Sequence, residues 1–95
     1  MALEVDLHLP QSHSLKDKRA LVRPMLDGAR NRFSVSSGEV AFQDKWQRAR
    51  LGFACVGPDG DGHAFAVMTR VERFIWSFPE VEVLNVEMHT YGTDE

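Results

Sequence analysis

Three cations crowd the segment Ser12-His13-Ser14-Leu15-Lys16-Asp17-Lys18-Arg19, where an alternating strand hands over to a helix. The first turns of a helix expose unpaired amides and the positive end of the macrodipole, so they attract anions. Lys16, Lys18 and Arg19 are locally unfavourable there unless a negative group arrives from outside, and the chemistry they offer is contact with phosphate or carboxylate. Along the same helix Lys16, Arg19, Arg23 and Arg30 fall at i, i+3, i+7 and i+14, a stripe on one flank interrupted by Asp27. The stripe has two readings. In one it is solvated surface, with Asp27 paired to Arg23 and Arg30 at roughly a few tenths of a kcal/mol each. In the other it grips an RNA backbone or another anionic partner, where Lys and Arg set position without reading bases. Lys18 falls toward the apolar arc, so its stem snorkels over the core and its ammonium extends toward the strand–helix junction.

A second polar cluster, Gln43-Asp44-Lys45-Trp46-Gln47-Arg48, lies in the connection between two strands. Trp46 is expected to pack down there, with Gln43, Asp44 and Gln47 satisfying backbone groups of the loop. The alternative is a recognition tip in which Trp46, Gln47 and Arg48 form a secondary nucleic-acid contact.

No catalytic constellation emerges. His8, His13, His63 and His89 lack metal-ligand spacing, and Cys55 has no partner thiol, so neither a metal site nor a cofactor is expected. Cys55 sits in Leu51-Gly52-Phe53-Ala54-Cys55-Val56, a context that predicts an inert thiol in a buried strand. Gly57, Gly60 and Gly62 precede a helix but lack the Lys-Ser/Thr of a phosphate-binding loop, and Asp59 and Asp61 repel phosphate.

The elements that must carry these residues follow from periodicity. Leu3, Val5, Leu7 and Leu9 alternate with Glu4, Asp6 and His8, a strand with one buried face, and Pro10 ends it. Ser14 with Asp17 three residues on resembles a capping box. Leu15, Val22, Met25, Leu26, Ala29 and Phe33 share one arc, which predicts a helix from Leu15 to about Arg32 with Pro24 on the opposite face. Strands are expected over Phe33 to Val40 and Ala49 to Val56. A loop with Asp59 or Asp61 as helix cap follows, then a helix whose apolar arc is Ala64, Val67, Met68, Val71, Phe74, Ile75 and Phe78. A last strand from about Val81 to His89 sends Leu84, Val86 and Met88 inward. Phe65, Thr69, Glu72 and Trp76 form a second stripe on the later helix, expected to pack on the first helix or, alternatively, to dock a partner.

The order βαββαβ with right-handed crossovers gives an α+β, ferredoxin-like fold: a four-stranded antiparallel sheet with both helices on one face and the first and third strands central. Glu4 and Asp6 are then expected to face Arg48 and Arg50 across the open face. That face lacks the aromatic platform on which RNA-recognition motifs stack bases, so any RNA contact falls to the helix flank or the Trp46 loop. Ninety-five residues support one domain, here 1–90 with a polar tail at 91–95. Composition is 43% hydrophobic and 26% charged, ordinary for a globular chain, and no apolar run is long enough for a membrane span. The net charge of −3 argues against an indiscriminate nucleic-acid binder. Its distribution is uneven: residues 1–50 hold nine Lys/Arg against six Asp/Glu, residues 51–95 two against eight. A local basic surface on an acidic chain fits selective docking.

The runs Asp6-Leu7-His8-Leu9-Pro10, Ser12 to Arg19, Gln43 to Ala49 and Leu51-Gly52 resemble the YlxP family of small bacterial proteins of unknown function, over Leu3 to about Glu87. The resemblance implies a ferredoxin-like fold, a cytoplasmic bacterial protein and genes beside those of a translation initiation factor and a ribosome-binding factor. Family members often begin earlier, so poor pairing is expected at the start of the first strand. The functional expectation is a non-enzymatic RNA- or ribosome-associated module docking through Lys16, Lys18, Arg19 and Arg23. The alternative is a protein-interaction or homodimerisation module using the second helix or a sheet edge.

Overall fold

The computed structural model describes residues 1–57 and 62–90. Its elements are β1 (Ala2–His8), α1 (Leu15–Phe33), β2 (Ser36–Ala41), β3 (Arg48–Ala54), α2 (His63–Trp76) and β4 (Glu82–His89). All strand pairs are antiparallel in the order β2-β3-β1-β4, so β1 and β3 are central as the ferredoxin-like order requires. Leu3, Val5 and Leu7 of β1 and Ala49, Leu51 and Phe53 of β3 send one face into a core closed by the apolar arcs of the two helices. Pairing is intact from Ala2 onward, against Ala54 on one side and His89 on the other, so the expected weak start of β1 is absent.

Local chemistry sets the boundaries of α1. Ser14 Oγ accepts the Asp17 amide at 3.0 Å, and Asp17 Oδ2 accepts the His13 amide at 3.0 Å, so the helix start carries its own anion. At the other end Ser34 takes a left-handed conformation (φ 56°) and its amide reaches Arg30 O at 3.0 Å. That cap keeps Phe33 in the helix and delays β2 to Ser36, three residues later than periodicity predicts. Gly62 is the N-cap of α2 (φ 73°); Asp59 and Asp61, the expected caps, lie outside the described residues.

Two bulges correct the strand patterns. The β1–β4 register shifts between Asp6 and Leu7, which leaves Leu84 half-exposed while Val83, Val86 and Met88 pack on the core. A second shift, between Glu39 and Ala41, sets Ala41 opposite Arg50 on the same open face where Val40 stands beside Gly52. A bulge inserts one residue and so inverts the in–out alternation beyond it, which simple period-two counting misses. Cys55 is likewise corrected: it lies one residue past β3, half-buried, and exchanges backbone hydrogen bonds with Met1.

On the open face Arg50 alone collects the carboxylates. Its Nε donates to Glu4 Oε1 at 2.7 Å, its Nη1 to Asp6 Oδ1 at 2.9 Å, and Glu87 Oε1 stands 3.1 Å from Nη2. The hydrogen bond to Glu4 is the main cause that raises the Arg50 pKa above its ordinary value; burial opposes it, and the charges of Asp6 and Glu4 add to it. Arg48, expected to share this role, stands opposite His8 and takes no carboxylate among the described residues.

Candidate functional site

The two polar clusters of the sequence meet in space. Leu9 N donates to Gln47 O at 2.9 Å, and Gln47 Nε2 donates to Pro10 O at 3.3 Å and Ser12 O at 3.1 Å. The loop between β2 and β3 is thereby stapled to the junction between β1 and α1. Gln47 spends both amide protons on this staple, the backbone-satisfying role that the sequence predicts for it, while the residue itself stays exposed.

Lys18 is the second tie, and its burial runs against the contact expected of it. Only 2% of it is exposed. Its Nζ lies 2.8 Å from Phe42 O, 3.3 Å from Gln43 O, 3.3 Å from Arg48 O and 2.7 Å from Glu39 Oε2. An ammonium has three protons, and these four oxygens surround it, so Lys18 cannot greet an external phosphate. Phe42 holds a left-handed backbone (φ 65°), which costs a non-glycine residue on the order of 1 kcal/mol. Its carbonyl accepts the Lys45 amide at 3.0 Å as well as Lys18, and these bonds hold the strained turn in place.

What remains exposed differs from what is tied. Trp46 stands on this stapled loop with 55% of its surface in solvent, contrary to the expected packed position. The Arg48 guanidinium lies 4.7 Å from the centre of the Phe42 ring, and its buried Nε has no hydrogen-bond partner among the described residues. On α1, Asp27 pairs with Arg30 at 2.9 Å, and Arg30 also donates to Ser37 O at 2.9 Å. Asp27 does not reach Arg23. Among the described residues Lys16, Arg19 and Arg23 are exposed and have no carboxylate within ion-pair distance. Arg19 and Arg23 line a groove of about 440 Å³ between α1 and the edge strand β2, with Val22, Leu26, Arg30 and the carboxylates of Asp27 and Glu39 completing it.

Charge divides between layers. The two helices hold eight Lys/Arg against three Asp/Glu, the four strands two against five. Counting along the chain hid this, because Arg70 and Arg73, the only cations after Arg50, both lie on α2. On the sheet face Glu4, Glu87 and His89 place ligand atoms within 4.8 Å of one another, and Arg50 is already bound to both carboxylates. The stripe of Phe65, Thr69, Glu72 and Trp76 does not pack on α1, contrary to expectation: Phe65 is 56% and Trp76 58% exposed. The helices instead meet at Gly28, whose Cα faces the Phe74 ring.

No helix among the described residues is long and apolar enough to cross a membrane. Comparison with known proteins finds 42% identity over 69 residues to the uncharacterized protein YlxP of Bacillus subtilis (strain 168), covering 73% of this chain and 74% of that one. Residues 1–88 match the family described as protein of unknown function DUF503, and the chain belongs to that family.

Proposed function

We propose that this chain is a non-enzymatic docking module that binds RNA or a ribosomal surface through Lys16, Arg19 and Arg23, with Trp46 and Arg48 as secondary contacts. The observation that carries the reading is that, among the described residues, these three exposed cations have no carboxylate partner, whereas Lys18 and Arg30 of the same helix are bound within the protein. Unpaired, clustered cations repel one another and are relieved by a polyanion, which releases its counterions on binding. The stapled loop holds exposed Trp46 next to the same end of α1, offering a stacking surface beside the charges. Gln47 and Lys18 serve by fixing that loop.

The test is binding of the intact chain to ribosomal subunits and to a stem–loop RNA across a salt series, with Lys16, Arg19 and Arg23 each changed to Glu. The reading expects a loss of about tenfold or more and a shallower dependence on salt. Unchanged affinity removes it. Exposed Phe65 and Trp76 favour a second reading, a protein-interaction or self-association module. Light scattering over a concentration series with Trp76→Ala tests it: a monomer at every concentration, indifferent to the change, argues against self-association.

A further inference from the structure

A second group of cations lies on the opposite flank of α1. Arg32, Arg70 and Arg73 line one concavity of about 300 Å³ between the two helices, with Phe33, Phe74 and Ser77 completing its wall. All three arginines are exposed, and none has an ion-pair partner among the described residues. Helix-dipole compensation accounts for Arg32 and Arg73, each in the last turn of its helix. It accounts neither for Arg70, nor for all three sharing one hollow. Arg32 is held with its guanidinium 4.9 Å from the centre of the Phe74 ring, and that ring is fixed by edge contacts to Phe33 at 5.8 Å and Phe78 at 5.1 Å. One fork is therefore oriented by its aromatic support before any ligand arrives, the arrangement that favours bidentate phosphate binding.

We infer that the Arg32–Arg70–Arg73 hollow is a second phosphate-binding site for the backbone of an RNA strand whose other contact is Arg19 and Arg23. The ligand rests on the RNA reading above; the site itself rests on its three unpaired arginines. Arg23 and Arg32 are nine residues apart, which places them about 180° apart around the helix and about 14 Å apart along it. The exposed surface between them carries Pro24 and Asn31, and its one carboxylate, Asp27, is paired to Arg30 at 2.9 Å, so a strand crossing the helix layer passes a neutralised rather than a free negative charge. A free phosphate shares the chemistry, and the experiment separates the two sources.

Affinity for a fluorescein-labelled stem–loop RNA is measured by anisotropy across a salt series for the intact chain, Arg70→Gln/Arg73→Gln and Arg19→Gln/Arg23→Gln. The inference expects both double variants to weaken binding about tenfold, each lowering the salt slope by about one per arginine removed. In parallel, nitrogen-15 spectra of the arginine side chains are followed during titration with inorganic pyrophosphate, where saturable shifts of Arg32, Arg70 and Arg73 are expected. If Arg19→Gln/Arg23→Gln weakens binding and Arg70→Gln/Arg73→Gln does not, the second site is overturned and the first stands. The same RNA result with saturable pyrophosphate shifts marks a site for free phosphate only, which also overturns the inference. An intact chain that binds no RNA overturns both readings together.

Discussion

The ammonium of Lys18 and the carboxylate of Glu39 meet at 2.7 Å across the interface between α1 and the edge strand β2, with the Lys18 side chain only 3% exposed. The backbone carbonyls of Phe42 and Gln43 in the following loop and of Arg48 at the start of β3 complete the surroundings of that ammonium. Lys18→Met leaves Glu39 without its partner and takes one donor from each of these carbonyls, and a loss of about 3 kcal/mol is expected, the low end for breaking a buried pair because Glu39 keeps some contact with water. Glu39→Gln keeps the carbonyl bonds and is expected to cost about 1 kcal/mol. Urea denaturation with an unchanged m-value checks both; a Lys18→Met chain as stable as the parent would show that the ammonium is not the tie.

Arg50 holds Glu4, Asp6 and Glu87 together at the centre of the open face. Arg50→Met removes the guanidinium that joins them, and a loss of about 2 kcal/mol is expected from unsatisfied charge-assisted hydrogen bonds and carboxylate repulsion. The pH dependence has a definite sign. Because folding raises the Arg50 pKa, its stabilisation is complete below the unfolded value and is lost only as pH rises through the still higher folded one. The stability difference between parent and Arg50→Met is therefore expected to stay constant from about pH 8 to about pH 10. A difference that shrinks across this interval would contradict the assignment.

The contact between Gly28 of α1 and Phe74 of α2 sets a third prediction. A Cβ placed on Gly28 would lie 2.5 Å from Phe74 Cζ. Phe74 cannot swing aside freely, because its ring is held between Phe33 and Phe78. Gly28→Ala gains about 1 kcal/mol in helix propensity but overpacks this contact at a cost of about 2 kcal/mol, for a net loss of about 1 kcal/mol. In a Phe74→Leu background the same change is expected to become stabilising. A double-mutant cycle measures the coupling, and additivity within about 0.5 kcal/mol would place the clash elsewhere.

These contacts mark the boundary of what the sequence discloses. Strand alternation, the helical arc and the proline stops act over a few residues, so the order of elements and the central position of β1 and β3 were legible. The bulges at Val40 and Leu84 were not, because each depends on the partner strand's register. Lys18 showed its position on the apolar arc, but the carbonyls that enclose it come from residues 42–48 and only the fold brings them there. Gly28 beside an arc of larger apolar residues was the available signal for the helix contact. The Arg32–Arg70–Arg73 hollow joins residues roughly forty positions apart, and no local pattern encodes it.

Trp46 separates the stapled loop's structural part from its proposed recognition part. Its side chain is more than half exposed, whereas its neighbour Gln47 is bonded to the β1–α1 junction. Trp46→Ala is therefore expected to leave stability within about 0.5 kcal/mol of the parent, as for surface changes remote from any cap or buried pair. Gln47→Ala removes two hydrogen bonds to backbone carbonyls and is expected to cost about 1–2 kcal/mol. For RNA binding the order reverses at the aromatic position: stacking one base contributes about 1–3 kcal/mol, so Trp46→Ala is expected to weaken affinity for single-stranded segments at least about fivefold. Trp76→Ala, equally exposed but on α2, serves as the control and is expected to leave RNA affinity unchanged. Denaturation and anisotropy on the same protein samples decide the matter, and equal effects of the two tryptophan changes would remove the loop from the binding surface.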